Sequence, residues 1–316
     1  MKARSHSVLA VFALLSVTLS GAAFAAAYRD ELTFLGKTTF MFREYALVVP
    51  LDLKRQPLPG EVFLEVKAWG AWNGTWIPYI YEPIDVPGAK ADDLNNIIAR
   101  YRQMKNDAVL DVRKAPDNTF VLNYARGRTR FDLQTKEFSP RVILENPEGR
   151  LALGLTDGQL NVNGHEVAGK VVAAIVTPGS RSDGTGRYGL YDHFTLQLPS
   201  GSVLVVYHSR NRTGFNLAAV FTPDGKGDRQ SRKVQVSWKD LGPDKESGRE
   251  IPTAWTIEAT EIPIKAALSE WGRNLVRYKT DTGKIAVAVN VMVRGSVEIA
   301  GTRMEVFGLN VHVQDE

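Results

Sequence analysis

Apolar and polar residues alternate along most of the chain with the period of two that is typical of β-strands. In residues 61–69 the pattern is clearest, because Val62, Leu64 and Val66 fall on one face. Similar segments, rich in valine, isoleucine, threonine and aromatic residues, recur along the sequence. They cover residues 119–124, 128–133, 150–155, 167–176, 192–198, 202–208, 216–222, 233–238, 255–262, 285–293 and 302–313.

Turn-forming pairs such as Asn73–Gly74 and Asn163–Gly164 separate these segments. Short strands joined by tight turns are typical of antiparallel sandwiches and barrels. The stretch 177–187 holds three glycines, a proline and no large apolar residue, which is typical of a connection between domains. We therefore predict an all-β fold with two β domains in tandem, residues 26–177 and residues 178–316.

Two segments carry helical rather than strand periodicity. Residues 93–104 place Leu94, Ile97, Ile98, Tyr101 and Met104 on one face, and Asp92 precedes them as a capping residue. We predict a helix there that covers an open end of a sheet. Residues 264–271 form a second, weaker helix candidate.

The N-terminus has the three parts of a secretory signal. Lys2 and Arg4 provide positive charge, residues 8–19 are apolar, and Ala23–Phe24–Ala25 supplies small residues at a cleavage site. The apolar run is shorter than the roughly 20 residues that cross a bilayer. The sequence therefore predicts a signal peptide over residues 1–25, a periplasmic or secreted location, and no stable membrane anchor.

Composition narrows the classes of function. The chain has no cysteine, which excludes disulfides and thiolate chemistry, and its histidines lack metal-ligand spacing, so no metal site is predicted. No phosphate-binding motif is present, and we predict no cofactor. The net charge is +4, two charges of which lie in the leader, so nucleic acid is not a predicted partner. The row Arg126, Arg128 and Arg130 is interpreted as a solvated strand face.

Several short motifs in the second half occur together in one known family. Residues 189–211 read GLYDHFTLQLPSGSVLVVYHSRN, residues 251–255 read IPTAW, and residues 294–313 read RGSVEIAGTRMEVFGLNVHV. Their order and spacing resemble the carotenoid 1,2-hydratase and AttH-like proteins, also called hydroxyneurosporene-synthase-like. The resemblance implies two lipocalin-like β-barrels in tandem that bind a small apolar molecule of isoprenoid type.

The same resemblance implies an acid–base site at Asp192 and His193. An acid in an apolar pocket could protonate an alkene, and water would capture the resulting carbocation, which makes a cofactor-independent hydratase or isomerase. On a strand the two side chains point to opposite faces, so one of them could be structural. Tyr207, Arg210, Trp255 and Glu305 are further candidates for ligand binding, and Arg210 could instead pair with Asp192 or Glu305.

Tryptophans are concentrated around the Asn73–Gly74 turn. Trp69, Trp72 and Trp76 could line a barrel mouth or stack on a sugar ring, or they could simply hold a hairpin together. The sequence thus leaves two alternatives to an apolar ligand. One is a glycan-binding module with an exposed aromatic platform, and the other is a structural envelope protein without a ligand. The oligomeric state is not predicted.

Overall fold

A computed structural model of the chain describes residues 28–58, 60–90, 92–104, 109–146, 149–178, 190–210, 215–279 and 283–314. The first sheet is antiparallel and has the strand order β4-β3-β2-β1-β10-β9-β7-β6-β5, with β8 paired to β9. Its strands are β1 (Tyr28–Phe40), β2 (Arg43–Leu58), β3 (Glu61–Trp72), β4 (Thr75–Pro87), β5 (Val109–Lys114), β6 (Phe120–Arg126), β7 (Thr129–Thr135), β8 (Val142–Asn146), β9 (Gly149–Val162) and β10 (His165–Pro178).

The second sheet repeats this topology with the order β14-β13-β12-β11-β19-β18-β17-β16-β15. Apart from β8, each sheet has four sequential strands and then five, and its first and last strands pair in the middle. The strands are β11 (Leu190–Gln197), β12 (Val203–Ser209), β13 (Asn216–Phe221), β14 (Arg229–Ser231), β15 (Val234–Asp244), β16 (Arg249–Ala259), β17 (Ile264–Lys279), β18 (Ile285–Ile299) and β19 (Thr302–Gln314).

These two curled antiparallel sheets, each an open half-barrel, confirm the predicted all-β tandem fold. The predicted leader, residues 1–25, and most of the predicted connection, residues 177–187, lie outside the described residues. The division into domains at residue 177 therefore stays a prediction.

One predicted helix is present between the two edge strands of the first sheet. Helix α1 (Leu94–Met104) contacts both β4 and β5. Its cap is Asp93 rather than Asp92, because Oδ1 of Asp93 accepts the backbone N–H of Asn96 at 2.9 Å. Leu94, Ile97, Ile98 and Tyr101 are buried in the core of the first half-barrel, while the side chain of Met104 is outside the described set. In the described part of the chain, no helix has the length and apolar character needed to cross a membrane.

The second predicted helix, residues 264–271, is wrong. This segment belongs to β17, where Ile264, Ala266 and Leu268 are buried and the residues between them are exposed. The short apolar run is consistent with both helical and strand periodicity. It forms a strand because it pairs with β16 on one side and β18 on the other.

Apolar side chains form three clusters. One fills each half-barrel, and the third lies between the two sheets. The central strands are therefore buried on both faces, which explains uninterrupted apolar runs such as Val203–Tyr207 on β12. The cluster between the sheets includes Leu35, Leu153 and Val172 from the first sheet and Val205, Leu217 and Phe221 from the second.

A close backbone contact fixes one edge of this interface. The β3–β4 turn at Asn73–Gly74 lies against Trp271, where a bulge interrupts the β17–β18 pairing. A Cβ added to Gly272 would lie 1.9 Å from the carbonyl oxygen of Gly74. The backbone N–H of Gly74 also reaches Sδ of Met292 at 3.1 Å. Only glycine at position 272 permits this approach.

We predict that Gly272→Ala lowers the free energy of unfolding by about 1–3 kcal/mol, because the added methyl group forces the two sheets apart. Urea denaturation of the purified chain measures this change. Gly242→Ala on β15 is the matched control, since its added Cβ would meet no atom closer than 3.9 Å. Equal stability of the two variants would show that the contact at Gly74 is not needed.

Candidate functional site

Asp192 lies inside the second half-barrel, near the start of β11. It shares its inward face with Phe194 and Leu196, which are buried in the apolar core. The carboxylate is 1% exposed although it has no cationic partner from lysine or arginine in the described residues. A charge in such surroundings has to be compensated by hydrogen bonds.

Three side chains from β15 and β19 provide those hydrogen bonds. Trp238 Nε1 donates to Oδ2 at 2.8 Å, and Asn310 Nδ2 and His312 Nδ1 reach Oδ1 at 3.3 and 2.9 Å. Burial raises the pKa of Asp192, but these hydrogen bonds and the attraction of His312 outweigh it and hold the pKa below its usual value. The arrangement therefore favours the ionised carboxylate.

The hydrogen bond to Asp192 also determines that Nδ1 of the His312 ring is a donor. An ionised carboxylate only accepts hydrogen bonds, so Nδ1 of His312 carries a proton. On the other side of the ring, Nε2 lies 2.8 Å from Nε2 of Gln314, which also donates to the carbonyl of Glu250. The imidazole thus accepts from Gln314 at Nε2, and the chain Asp192–His312–Gln314 is hydrogen-bonded inside the protein.

His208 is the directly paired neighbour of Asp192 on β12. It is partly exposed, and its Nδ1 is buried and has no hydrogen-bond partner among the described residues. Burial lowers the pKa of His208, the charge of Asp192 raises it and Arg210 lowers it, with a net lowering. This places a neutral imidazole with a free ring nitrogen beside a buried carboxylate.

Arg210 does not form the predicted ion pair with Asp192 or Glu305. Its guanidinium lies 3.6 Å from the centre of the Trp238 ring, a cation–π contact. Glu305 is exposed and precedes His312 by seven residues on β19, so it lies toward the other end of the half-barrel. The aromatic ring holds the cation away from the carboxylate.

Two more unpaired polar atoms lie in the same interior. Trp255, predicted as a ligand-binding residue, is 1% exposed and contacts Phe194 edge to face, with ring centres 6.0 Å apart. In the described part of the chain its Nε1 has no hydrogen-bond partner. Oδ1 of Asn310 is also buried without a partner. Together with Nδ1 of His208, these atoms offer one donor, one acceptor and one imidazole nitrogen around Asp192 and Phe194.

His193 and Tyr207 face away from this interior, as strand alternation predicts. Their rings stack with centres 4.0 Å apart in the region between the two sheets, and Nε2 of His193 lies 3.3 Å from Oγ1 of Thr195. Burial lowers the pKa of His193 to about 3. The structure thus places His193, which was predicted as a catalytic residue, on the face opposite the Asp192 cluster.

The three tryptophans around Asn73–Gly74 do not share one exposed face. Trp72 packs against the core of the first half-barrel and donates to the Tyr79 hydroxyl at 2.6 Å. Trp76 packs against the cluster between the sheets, and Trp69 is also only partly exposed. Their surroundings do not favour the exposed platform that the glycan hypothesis requires.

Comparison with known proteins adds structural likeness but no sequence match. No family model and no curated protein matches the sequence. An AttH-type protein from Nitrosomonas europaea has a TM-score of 0.58 at 11% identity and covers 91% of this chain and 92% of its own. The chain has the tandem lipocalin-like fold of AttH-like proteins.

Two further solved structures share this fold. Kievitone hydratase from Nectria haematococca has a TM-score of 0.59 at 11% identity, with 92% of this chain and 89% of that chain covered. CghA crystallised with Sch210972 has a TM-score of 0.53 at 12% identity and the same coverage. The resemblance predicted from the sequence motifs is thus confirmed at the level of the fold.

Within this tandem fold, the first half-barrel has an equivalent of the Asp192 cluster. Asp30 lies near the start of β1 as Asp192 does on β11, and Arg55 and Lys114 occupy the places of Arg210 and Trp238. Here both cations bind the carboxylate, at 2.7 Å from Arg55 and 2.9 Å from Lys114. The two half-barrels therefore share a buried aspartate at the equivalent position and differ in its partners.

Sequence reasoning missed Trp238, Asn310, His312 and Gln314. The signal was available on β19, where asparagine, histidine and glutamine alternate with valine at positions 310–314 and therefore share one face. Among the described residues, no group of three or more histidine, aspartate or glutamate side chains is placed to hold a metal ion.

We predict that His193 makes the fold sensitive to acid. Its pKa falls from the usual 6.5 to about 3 on folding, so below pH 6.5 the unfolded chain binds a proton that the folded chain does not. The free energy of unfolding should therefore drop as the pH falls, by about 1.4 kcal/mol per pH unit from this residue.

His193→Phe preserves the stack on Tyr207 and cannot titrate. Between pH 5.5 and 4, urea denaturation should show a pH slope about 1.4 kcal/mol per unit shallower than in the wild-type chain. His165→Phe, which makes the same substitution at an exposed histidine, is the matched control. An identical slope in His193→Phe and the wild-type chain would contradict the neutral, buried state of this ring.

Proposed function

We propose that this protein binds a small, mostly apolar molecule with a hydroxyl or carbonyl group inside the second half-barrel, beside Asp192. The observation that supports this most directly is the set of unpaired buried atoms, Trp255 Nε1, Asn310 Oδ1 and His208 Nδ1. Unpaired polar atoms in an apolar interior are costly, and a ligand with one or two polar groups would satisfy them. The surrounding aliphatic walls suit an isoprenoid-type skeleton.

We infer that the reaction at this site is hydration without a cofactor. Protonated His208 would donate its proton to one alkene carbon, and the nearby Asp192 carboxylate would stabilise the carbocation. Water would attack the other carbon and return a proton to His208, so the net change is addition of one water molecule. Kievitone hydratase and CghA share the fold, which is compatible with this proposal.

In this scheme the acid is His208. The sequence analysis predicted Asp192 as the acid, and that role stays a prediction. Three donors on the carboxylate favour its ionised form, and a proton donor is better placed at His208, whose ring nitrogen is free. Measurement of the Asp192 pKa by NMR separates the two schemes. A pKa above 6 would return the role of acid to Asp192.

Native mass spectrometry of the protein purified from its source cells should reveal a bound apolar molecule. Asn310→Leu and Trp255→Phe should each weaken its binding about tenfold, because each removes one hydrogen bond to the ligand; Asn310→Leu also removes the donor to Asp192. Gln197→Leu is the control, since it removes a buried unpaired amide oxygen from the opposite face of β11. Unchanged affinity in both site variants would contradict a ligand in the second half-barrel.

Turnover is tested with isoprenoid alkenes in isotopically labelled water. The wild-type chain should incorporate labelled oxygen, with a rate that rises as the pH falls because protonated His208 is scarce near neutrality. His208→Gln should abolish incorporation and retain binding. Ligand binding without any incorporation of labelled oxygen would support a binding function and contradict the hydratase activity.

We also propose export from the cytoplasm, on the basis of residues 1–25. N-terminal sequencing of the protein recovered from bacterial periplasm should then begin at Ala26, and replacing Ala23 and Ala25 with large charged residues should block cleavage. Recovery of the intact N-terminus from the cytoplasm would contradict export.

A further inference from the structure

The β1–β2 hairpin ends in three exposed apolar side chains. Phe40, Met41 and Phe42 are 54%, 77% and 103% exposed. The other large apolar residues that are exposed in the described chain occur singly. One neighbour contacts the tip, since the ring of Phe40 lies edge to face against His165 at 6.1 Å. A run of three such residues in water marks an interaction surface.

The turn itself is strained. Met41 and Phe42 have φ angles of 47° and 65°, in the left-handed region at both central positions of a two-residue turn. Asn-Gly is the preferred pair in such turns, because bulky side chains are disfavoured at positive φ. Neither local conformation nor burial accounts for methionine and phenylalanine at these two positions.

Arginines surround the same edge of the first sheet. Arg43 follows the turn, and Arg128 and Arg130 lie near the start of β7, three strands from β1 or about 14 Å away. All three are exposed and have no acidic partner within the described residues. The acids at this edge are Glu44, which pairs with Lys37 at 2.7 Å, Glu166 and Asp132, against the cations Lys37, Arg43, Arg128 and Arg130. Cations thus outnumber anions around the apolar tip.

We propose that the Phe40–Phe42 tip inserts into the surface of a lipid bilayer that contains anionic phospholipids. The apolar side chains would enter the boundary between headgroups and acyl chains, while Arg43, Arg128 and Arg130 contact lipid phosphates. An apolar tip with a basic border matches an anionic bilayer surface better than it matches a neutral protein groove. This surface is independent of the Asp192 cluster and of the proposed reaction there.

The first test uses the double substitution Met41→Asn with Phe42→Gly, which gives the turn its preferred pair and should preserve or raise the melting temperature. In co-sedimentation with phosphatidylcholine–phosphatidylglycerol vesicles, the variant should bind about tenfold or more weakly than the wild-type chain. Replacing Arg43, Arg128 and Arg130 with glutamine should remove most of the preference for these vesicles over pure phosphatidylcholine. Leu241→Ser, at a lone exposed leucine, should bind as the wild type does.

A second readout places the tip itself in the bilayer. Because the chain has no cysteine, Met41→Cys carries a single environment-sensitive fluorophore, and Leu241→Cys provides the matched control. On addition of vesicles, emission should shift to the blue at position 41 and stay unchanged at position 241. Every variant carries the same N-terminus, so its binding contributes equally to all of them.

Equal vesicle binding by the wild-type chain and the Asn-Gly variant would overturn the proposal, and so would the absence of a shift at position 41. Sedimentation velocity tests whether the tip instead binds a second copy of the chain. Self-association that the Asn-Gly variant loses, without vesicle binding, would assign the tip to a second copy of the chain and would also overturn the proposal.

Discussion

The second half-barrel depends on how it accommodates the carboxylate of Asp192. Its hydrogen bond to Trp238 joins β11, in the middle of the sheet, to the edge strand β15 across the interior. The hydrogen bonds to Asn310 and His312 connect Asp192 to β19, the direct neighbour of β11 in the sheet. A polar contact that spans a curled sheet sets the distance between its walls, and an ionised carboxylate with both oxygens occupied is costly to disrupt. The position of the carboxylate thus fixes the geometry of the proposed site.

The two sheets show two physical solutions to the same problem. In the first, Arg55 and Lys114 neutralise Asp30 directly, which makes a buried ion cluster with no unpaired carboxylate oxygen. In the second, Trp238 takes the place of the lysine and also stacks on Arg210, so an uncharged indole N–H donates to the carboxylate there. A buried anion without a lysine or arginine partner can stabilise positive charge on a bound molecule. This difference supports chemistry in the second half-barrel and a structural role for the cluster in the first.

Alternation of apolar and polar residues was sufficient to predict twelve of the nineteen described strands, because most of them have one face inside a half-barrel. It did not indicate β1, β2, β4, β5, β8 or β14. It failed for Ile264–Trp271, where a short apolar run fits a helix equally well and only pairing with β16 and β18 decides. It also placed Asp192 and His193 on opposite faces correctly. The partners of Asp192 could not be predicted, since Trp238 and His312 are 46 and 120 residues away and reach it only through the curl of the sheet.

The same two strands carry both the interior cluster and the contact between the sheets. On β11 and β12, Asp192 and His208 face the interior, while their neighbours His193 and Tyr207 stack on the opposite face. A shift of either strand relative to the first sheet therefore moves the carboxylate and the imidazole together. Because Tyr207 belongs to the apolar cluster between the sheets, packing against the first half-barrel holds these strands in place. The first sheet thus acts on the proposed site through the position of β11 and β12, while the described side chains of the Asp192 cluster all come from the second sheet.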